Sequence, residues 1–138
     1  MKIFTIGYGG RNPQEFLRLL RKNGINAIVD VRLLPNRACM GAYVKASRDD
    51  KGIQALLATG NIRYFSFVEL GNIFLYFDDW KRRYQFLIDK VGDLLTERLS
   101  QVPEPFCLLC AEKRYVDCHR LIIAEFLKQK GHEVEHIE

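Results

Sequence analysis

No apolar stretch in the 138 residues approaches the roughly 20 needed to cross a bilayer as a helix, which excludes a helical membrane span. The apolar run in the opening Met1–Gly7 is too short for a secretory signal. Only 4 prolines and 10 glycines occur, no segment is of low complexity, and no motif recurs at a solenoid period, so disorder and repeat arrays are excluded as well. Hydrophobic residues make up 48% and charged residues 28%, near ordinary globular proportions. At this length the chain builds one core more readily than two. The expectation is a soluble, cytoplasmic protein with a single domain spanning 1–138.

Neither sign of charge dominates, with a net of +4, but the balance is uneven. Residues 1–51 carry ten Lys/Arg against four Asp/Glu, which points to an anionic partner: a small phosphorylated ligand or a nucleic acid. Taken singly, most of these side chains read as solvated surface.

Strand and helix signals alternate along the chain. Residues 2–7 form a buried strand ending at Gly7-Tyr8-Gly9-Gly10. Asn12 caps the next helix, Pro13 takes its first position, Glu15 completes the capping pattern, and Gly24 stops it. A second strand over 27–32 makes a βαβ unit, with parallel strands joined by a right-handed crossover. A short helix over 51–59, a strand over 62–67, a helix over 80–99, an all-apolar strand over 106–110, a helix over 118–130 capped by Asp117, and a strand over 132–137 complete the pattern. On the long helix the expected inward face is Tyr84, Leu87, Val91, Leu94, Leu95 and Leu99. The fold class is α/β: one three-layer domain around a mostly parallel five-stranded sheet, Rossmann-like or rhodanese-like. Sheets of this kind carry their sites beyond the carboxyl ends of the strands. Polar and reactive residues concentrate in the four loops there: 7–12, 30–50, 66–79 and 110–120.

Four cysteines occur, Cys39, Cys107, Cys110 and Cys118. A cytoplasmic setting argues against a disulfide framework. Cys107 and Cys110 are spaced C-x-x-C, but on a strand residues three apart face opposite ways, so they do not share a metal. Cys110 closes the central strand and can face the cleft. Cys118, placed in the first turn of a helix beside His119 and Arg120, has what lowers a thiol pKa: free N–H groups and positive charge. His119 is then a base or imidazolium partner, and Arg120 an oxyanion holder. The alternative is purely structural, with Cys118 packed inward and Arg120 paired to Asp30 or Glu112. A cysteine-phosphatase loop is disfavoured, because Val116 rather than arginine stands six after Cys110. A zinc site of Cys110, Glu112, Cys118 and His119 is disfavoured too, since adjacent residues on a helix rarely reach one ion. No metal ligand is therefore assigned, and the cofactor is left open.

These residues carry a family resemblance. Thr5-Ile6-Gly7-Tyr8-Gly9, Asp30-Val31-Arg32 with Pro35, Ile62-Arg63-Tyr64 leading to Glu69-Leu70-Gly71, Leu109-Cys110-Ala111-Glu112-Lys113, and Cys118-His119-Arg120 with Gly131-His132-Glu133-Val134 resemble the family known as domain of unknown function 488. The likeness covers nearly the whole chain. It departs at Tyr8-Gly9, where the family often has Ser after Gly-His, and at Asn72, where a second Gly often follows Leu-Gly. It implies an α/β domain whose site includes Asp30, Arg32, Cys110, Glu112, Cys118, His119 and Arg120, and it implies no reaction. A looser likeness to rhodanese domains stays at the level of fold.

Nine of the sixteen aromatic residues fall between Tyr64 and Phe86. The segment 74–80 reads as a hydrophobic flap or a dimer contact. The leading functional reading is an enzyme acting on a small anionic or nucleotide-like substrate. Asp30, Cys110, Glu112, Cys118 and His119 are its candidate catalytic residues, and Gly7, Arg32, Arg37 and Arg120 its candidate substrate-binding residues. The second reading is a nucleic-acid-binding accessory protein, and the third a non-catalytic structural module.

Overall fold

The computed structural model describes residues 1–138. Strand β1 (Lys2–Gly7) leads into helix α1 (Pro13–Lys22), strand β2 (Ala27–Asp30), helix α2 (Gly52–Ala58) and strand β3 (Arg63–Ser66). Helix α3 (Trp80–Leu95), strand β4 (Phe106–Cys110), helix α4 (Arg120–Gln129) and strand β5 (Glu133–Ile137) follow. All five strands are parallel, in the order β3-β2-β4-β1-β5. No helix is long and apolar enough to cross a membrane.

Local chemistry accounts for the first crossover. The Asn12 side chain accepts the Glu15 N–H at 2.8 Å, Pro13 opens α1, and Gly24 leaves it with φ of +67°. The Glu15 carboxylate does not close a reciprocal box; it turns to Arg11, 3.9 Å away.

Strand β4 is buried along its whole length, so its side chains feed two cores. Phe106, Leu108 and Cys110 join Tyr84 and Ile88 of α3 and Ile123 and Leu127 of α4 on one face. Cys107 and Leu109 join Phe16 and Leu20 of α1 and Ile53 and Leu57 of α2 on the other. Each such side chain buried in full contributes about 1.5–3 kcal/mol. The same alternation sends Cys107 and Cys110 to opposite faces, as expected of a strand.

Two helices differ from expectation. Helix α3 turns Tyr84, Ile88 and Gly92 inward, while Leu94 is 68% exposed and Val91 stands on the outer side. A break at Val91 (φ −133°) rotates the end of the helix, and Leu99 reaches the core from a separate turn over Glu97–Gln101. Gly92 is there because a Cβ would sit 2.6 Å from the Phe126 ring of α4. Helix α4 starts at Arg120, not at Cys118, and Asp117 does not cap it. Asp117 closes a tight turn, Tyr115–Asp117, after which Cys118 is extended (φ −130°, ψ 147°).

The strand order fixes where a site can form. The chain leaves β2 toward β3 across the face that holds α2, and leaves β4 toward β5 across the face that holds α4. Between the ends of the neighbouring strands β2 and β4 the connections part to opposite sides, and that opens a crevice.

Candidate active site

The crevice holds a cavity of about 280 Å³. Residues from both strand ends line it, Arg32 from β2 and Cys110, Ala111 and Glu112 from β4, together with Cys118 and His119. Tyr8, Asn72, Leu75, Tyr76 and Trp80 form its walls, and the exposed Arg37 stands at its edge.

Three features hold the loop after β4 in place. Tyr8 N–H donates to the Cys110 carbonyl at 3.1 Å and Gly9 N–H to the Ala111 carbonyl at 2.8 Å. Gly7 lets the backbones meet: a Cβ there would lie 1.6 Å from the Glu112 carbonyl oxygen. The fully buried Arg120 donates from Nη1 to the Glu112 carbonyl at 2.6 Å and from Nη2 to the Lys113 carbonyl at 3.1 Å. Gly7 and Arg120, expected among the substrate-binding residues, therefore lie behind the pocket lining, where they support the loop. Arg120 pairs with neither Asp30 nor the Glu112 carboxylate.

Asp30 is likewise fully buried, one layer back. Its carboxylate accepts the Arg32 backbone N–H at 3.1 Å, Arg32 Nε at 2.9 Å, Arg32 Nη2 at 2.7 Å and the Tyr64 hydroxyl at 2.5 Å. Asp30 orients Arg32, not His119. Burial works against the Arg32 charge, but the hydrogen bonds and charge of Asp30 outweigh it and keep the guanidinium protonated. Burial and then the Asp30 charge push the Tyr64 hydroxyl well above its ordinary value, so it stays a donor. Arg32 packs 5.2 Å from the Tyr8 ring centroid, and its Nη1 has no hydrogen-bond partner.

The reactive group lies across the crevice. Cys110, Cys118 and His119 are 5%, 3% and 5% exposed. His119 Nδ1 lies 3.7 Å from Cys118 Sγ and 3.9 Å from Cys110 Sγ, and Cys110 Sγ lies 3.3 Å from Glu112 Oε2. His119 Nε2–H donates to the Val31 carbonyl at 2.9 Å, which turns Nδ1 to the sulfurs. The Arg120 backbone N–H points at Cys118 Sγ, 3.4 Å away. Burial alone would raise the Cys118 thiol; hydrogen bonds from Cys110 and His119 and the charges of His119 and Arg120 outweigh it and bring it far below the cysteine range. Cys110 moves the other way, because its contact with Cys118, burial and the Glu112 carboxylate that accepts its S–H all disfavour its charge. Burial first and the Cys118 charge second raise Glu112. Burial lowers His119, but contact with Cys118 more than restores it. The surroundings favour the thiolate at Cys118, beside the imidazole and a backbone N–H, which suits attack on an electrophile or the holding of a metal ion.

The extended Cys118 removes the objection drawn from helix geometry: off the helix, Cys118 and His119 reach the same point. Tyr64, Trp80, Leu75 and Tyr76 were not among the expected site residues. The aromatic density of 64–86 was their signal, and part of the flap segment forms a pocket wall. Tyr8 and Asn72, where the chain departs from the family pattern, both line the pocket.

Several of the basic residues are partnered. Lys2 meets Glu135, Arg48 meets Asp50, Arg21 donates to the Thr59 carbonyl, and Arg82 and Arg83 share Asp79.

The family model described as "Domain of unknown function DUF488" matches residues 12–127, and the chain belongs to that family. No curated protein and no solved structure matches it.

Proposed function

We propose that this member of the DUF488 family is an enzyme acting on a small anionic or nucleotide-like substrate held between β2 and β4. The observation that carries the reading is the meeting, in the lining of one open hollow, of Arg32, whose buried Nη1 has no partner, with the Cys110–Glu112–Cys118–His119 group. Arg32, fixed by Asp30 and Tyr64, binds the anion, because a pre-oriented guanidinium loses little freedom on binding. Arg37 completes the charge at the edge. Trp80, in the cavity wall, offers an aromatic surface to a planar group. The thiol–imidazole–carboxylate group is the reactive end.

The test is calorimetric titration with inorganic phosphate and a panel of nucleoside monophosphates. Binding in the micromolar to millimolar range is expected, and Arg37→Ala, an exposed change, weakens it about tenfold, or ~1.4 kcal/mol. A protein that binds none of these probes, or whose Arg37→Ala and Arg32→Lys variants bind them like the wild type, refutes the reading.

A further inference from the structure

We infer that Cys110, Cys118 and His119 form a three-ligand site for a thiophilic divalent cation, with Zn²⁺ the best match. Their donor atoms all lie within 4.8 Å of one another. A tetrahedral zinc centre, with Zn–S of about 2.3 Å and Zn–N of about 2.0 Å, has sulfur–nitrogen edges of about 3.5 Å. The two edges here are 3.7 and 3.9 Å, so the donors need to move only slightly to close on an ion.

Two further observations point the same way. His119 presents Nδ1 because Nε2–H is committed to the Val31 carbonyl, the outer contact that fixes a metal-binding histidine in its tautomer and ring orientation. The Arg120 backbone N–H is aimed at Cys118 Sγ, where it supports a ligand sulfur. The donor set also fits the cation: two thiolates and a neutral imidazole favour zinc over the hard cations magnesium and calcium, and a divalent ion cancels their charge in a buried place.

Three protein ligands leave a fourth position open, and all three ligands line the cavity. That is the form of a catalytic rather than a structural zinc site. Glu112, with Oε2 3.3 Å from Cys110 Sγ, stands beside the centre and outside the ligand set. The inference deepens the enzymatic reading by naming what the reactive end holds. The two fail separately: metal without any anionic probe bound sinks the substrate reading alone, and the reverse sinks this one alone.

The experiment is titration of the reduced, chelator-treated full chain with Co²⁺, followed by displacement with Zn²⁺. One equivalent binds, with thiolate-to-cobalt charge-transfer absorption that Zn²⁺ abolishes. Cys110→Ser, Cys118→Ser and His119→Asn each weaken binding by at least the 10–100-fold that loss of an outer contact costs. Glu112→Gln leaves the absorption in place; its loss there would overturn the three-ligand assignment. No charge-transfer band, or a band lost only with the exposed Cys39, overturns the site. Should a variant fail to fold, alkylation of the wild-type protein under reductant decides: Zn²⁺ shields Cys110 and Cys118 and leaves Cys39 reactive. Equal labelling of Cys110 and Cys118 with and without Zn²⁺ overturns the inference.

Discussion

Replacing Asp30 by Asn removes one charge and almost no volume, yet the surroundings make it one of the most costly single changes available. The Asp30 carboxylate takes hydrogen bonds from the Arg32 backbone, from the Arg32 guanidinium and from Tyr64, all away from water. An amide keeps one acceptor oxygen and turns its NH₂ toward donors. The guanidinium is left buried without a counter-charge, a situation that costs about 3–5 kcal/mol. Against a total stability on the order of 5–15 kcal/mol for a domain, that is a large share. Urea denaturation should show the midpoint falling with an unchanged slope. Asp30→Leu combined with Arg32→Met removes both charges and should recover most of the loss, since apolar pairs of similar volume replace buried ion pairs at little cost. A loss under about 1 kcal/mol for Asp30→Asn, or a double variant no more stable than the single, would show that Arg32 is not held as described.

Gly7→Ala should cost more than about 3 kcal/mol, because its Cβ meets a backbone carbonyl that cannot step aside; Gly41→Ala, with open space around it, should change stability by less than about 0.5 kcal/mol, both read by urea denaturation. On α3, Ile88→Ala should cost about 2–5 kcal/mol and Leu94→Ala under about 0.5 kcal/mol, and equal effects would contradict the inward face assigned to the helix. Burial, then the charges of Lys128 and Arg120, lower the His136 pKa, while its Nδ1 sits 2.6 Å from Thr5 Oγ1 and its ring stacks on Tyr115. The folded state therefore favours neutral His136, so its stabilising effect is full above the unfolded value of about 6.5 and is lost as pH falls below it. His119 acts in the opposite sense, so the readout is the difference between wild type and His136→Asn: the wild type should lose more stability between pH 7 and pH 5.

The alternation of elements was legible because each left a local mark: Asn12-Pro13 and Gly24 around α1, and the unbroken apolar run of β4. That Arg32 and Cys110 line the crevice at the strand ends, with Asp30 behind Arg32, followed from the parallel architecture. What periodicity could not show was the break at Val91, or the close packing of Phe126 against Gly92, a contact between distant segments. Nor could it show that the turn at Tyr115–Asp117 delays α4 and leaves Cys118 extended. Arg120 read as a ligand-binding cation because its charge was visible and its destination, two backbone carbonyls of the β4 loop, was not. Tyr64 was missed for a related reason: nothing local says that its hydroxyl meets Asp30 across the neighbouring strand.

Strands β1 and β2 are joined early in the chain yet share no ladder; each pairs with β4, which is translated much later. Until Phe106–Cys110 arrives, both have a bare edge where their common partner belongs, and the two sides of the pocket have nothing to hold them in register. A nascent or clipped product without that strand therefore lacks Cys110 and the ladder that joins the pocket's two sides. One late segment thus wedges between two early ones, and the pocket's two sides gain their shared ladder only through it.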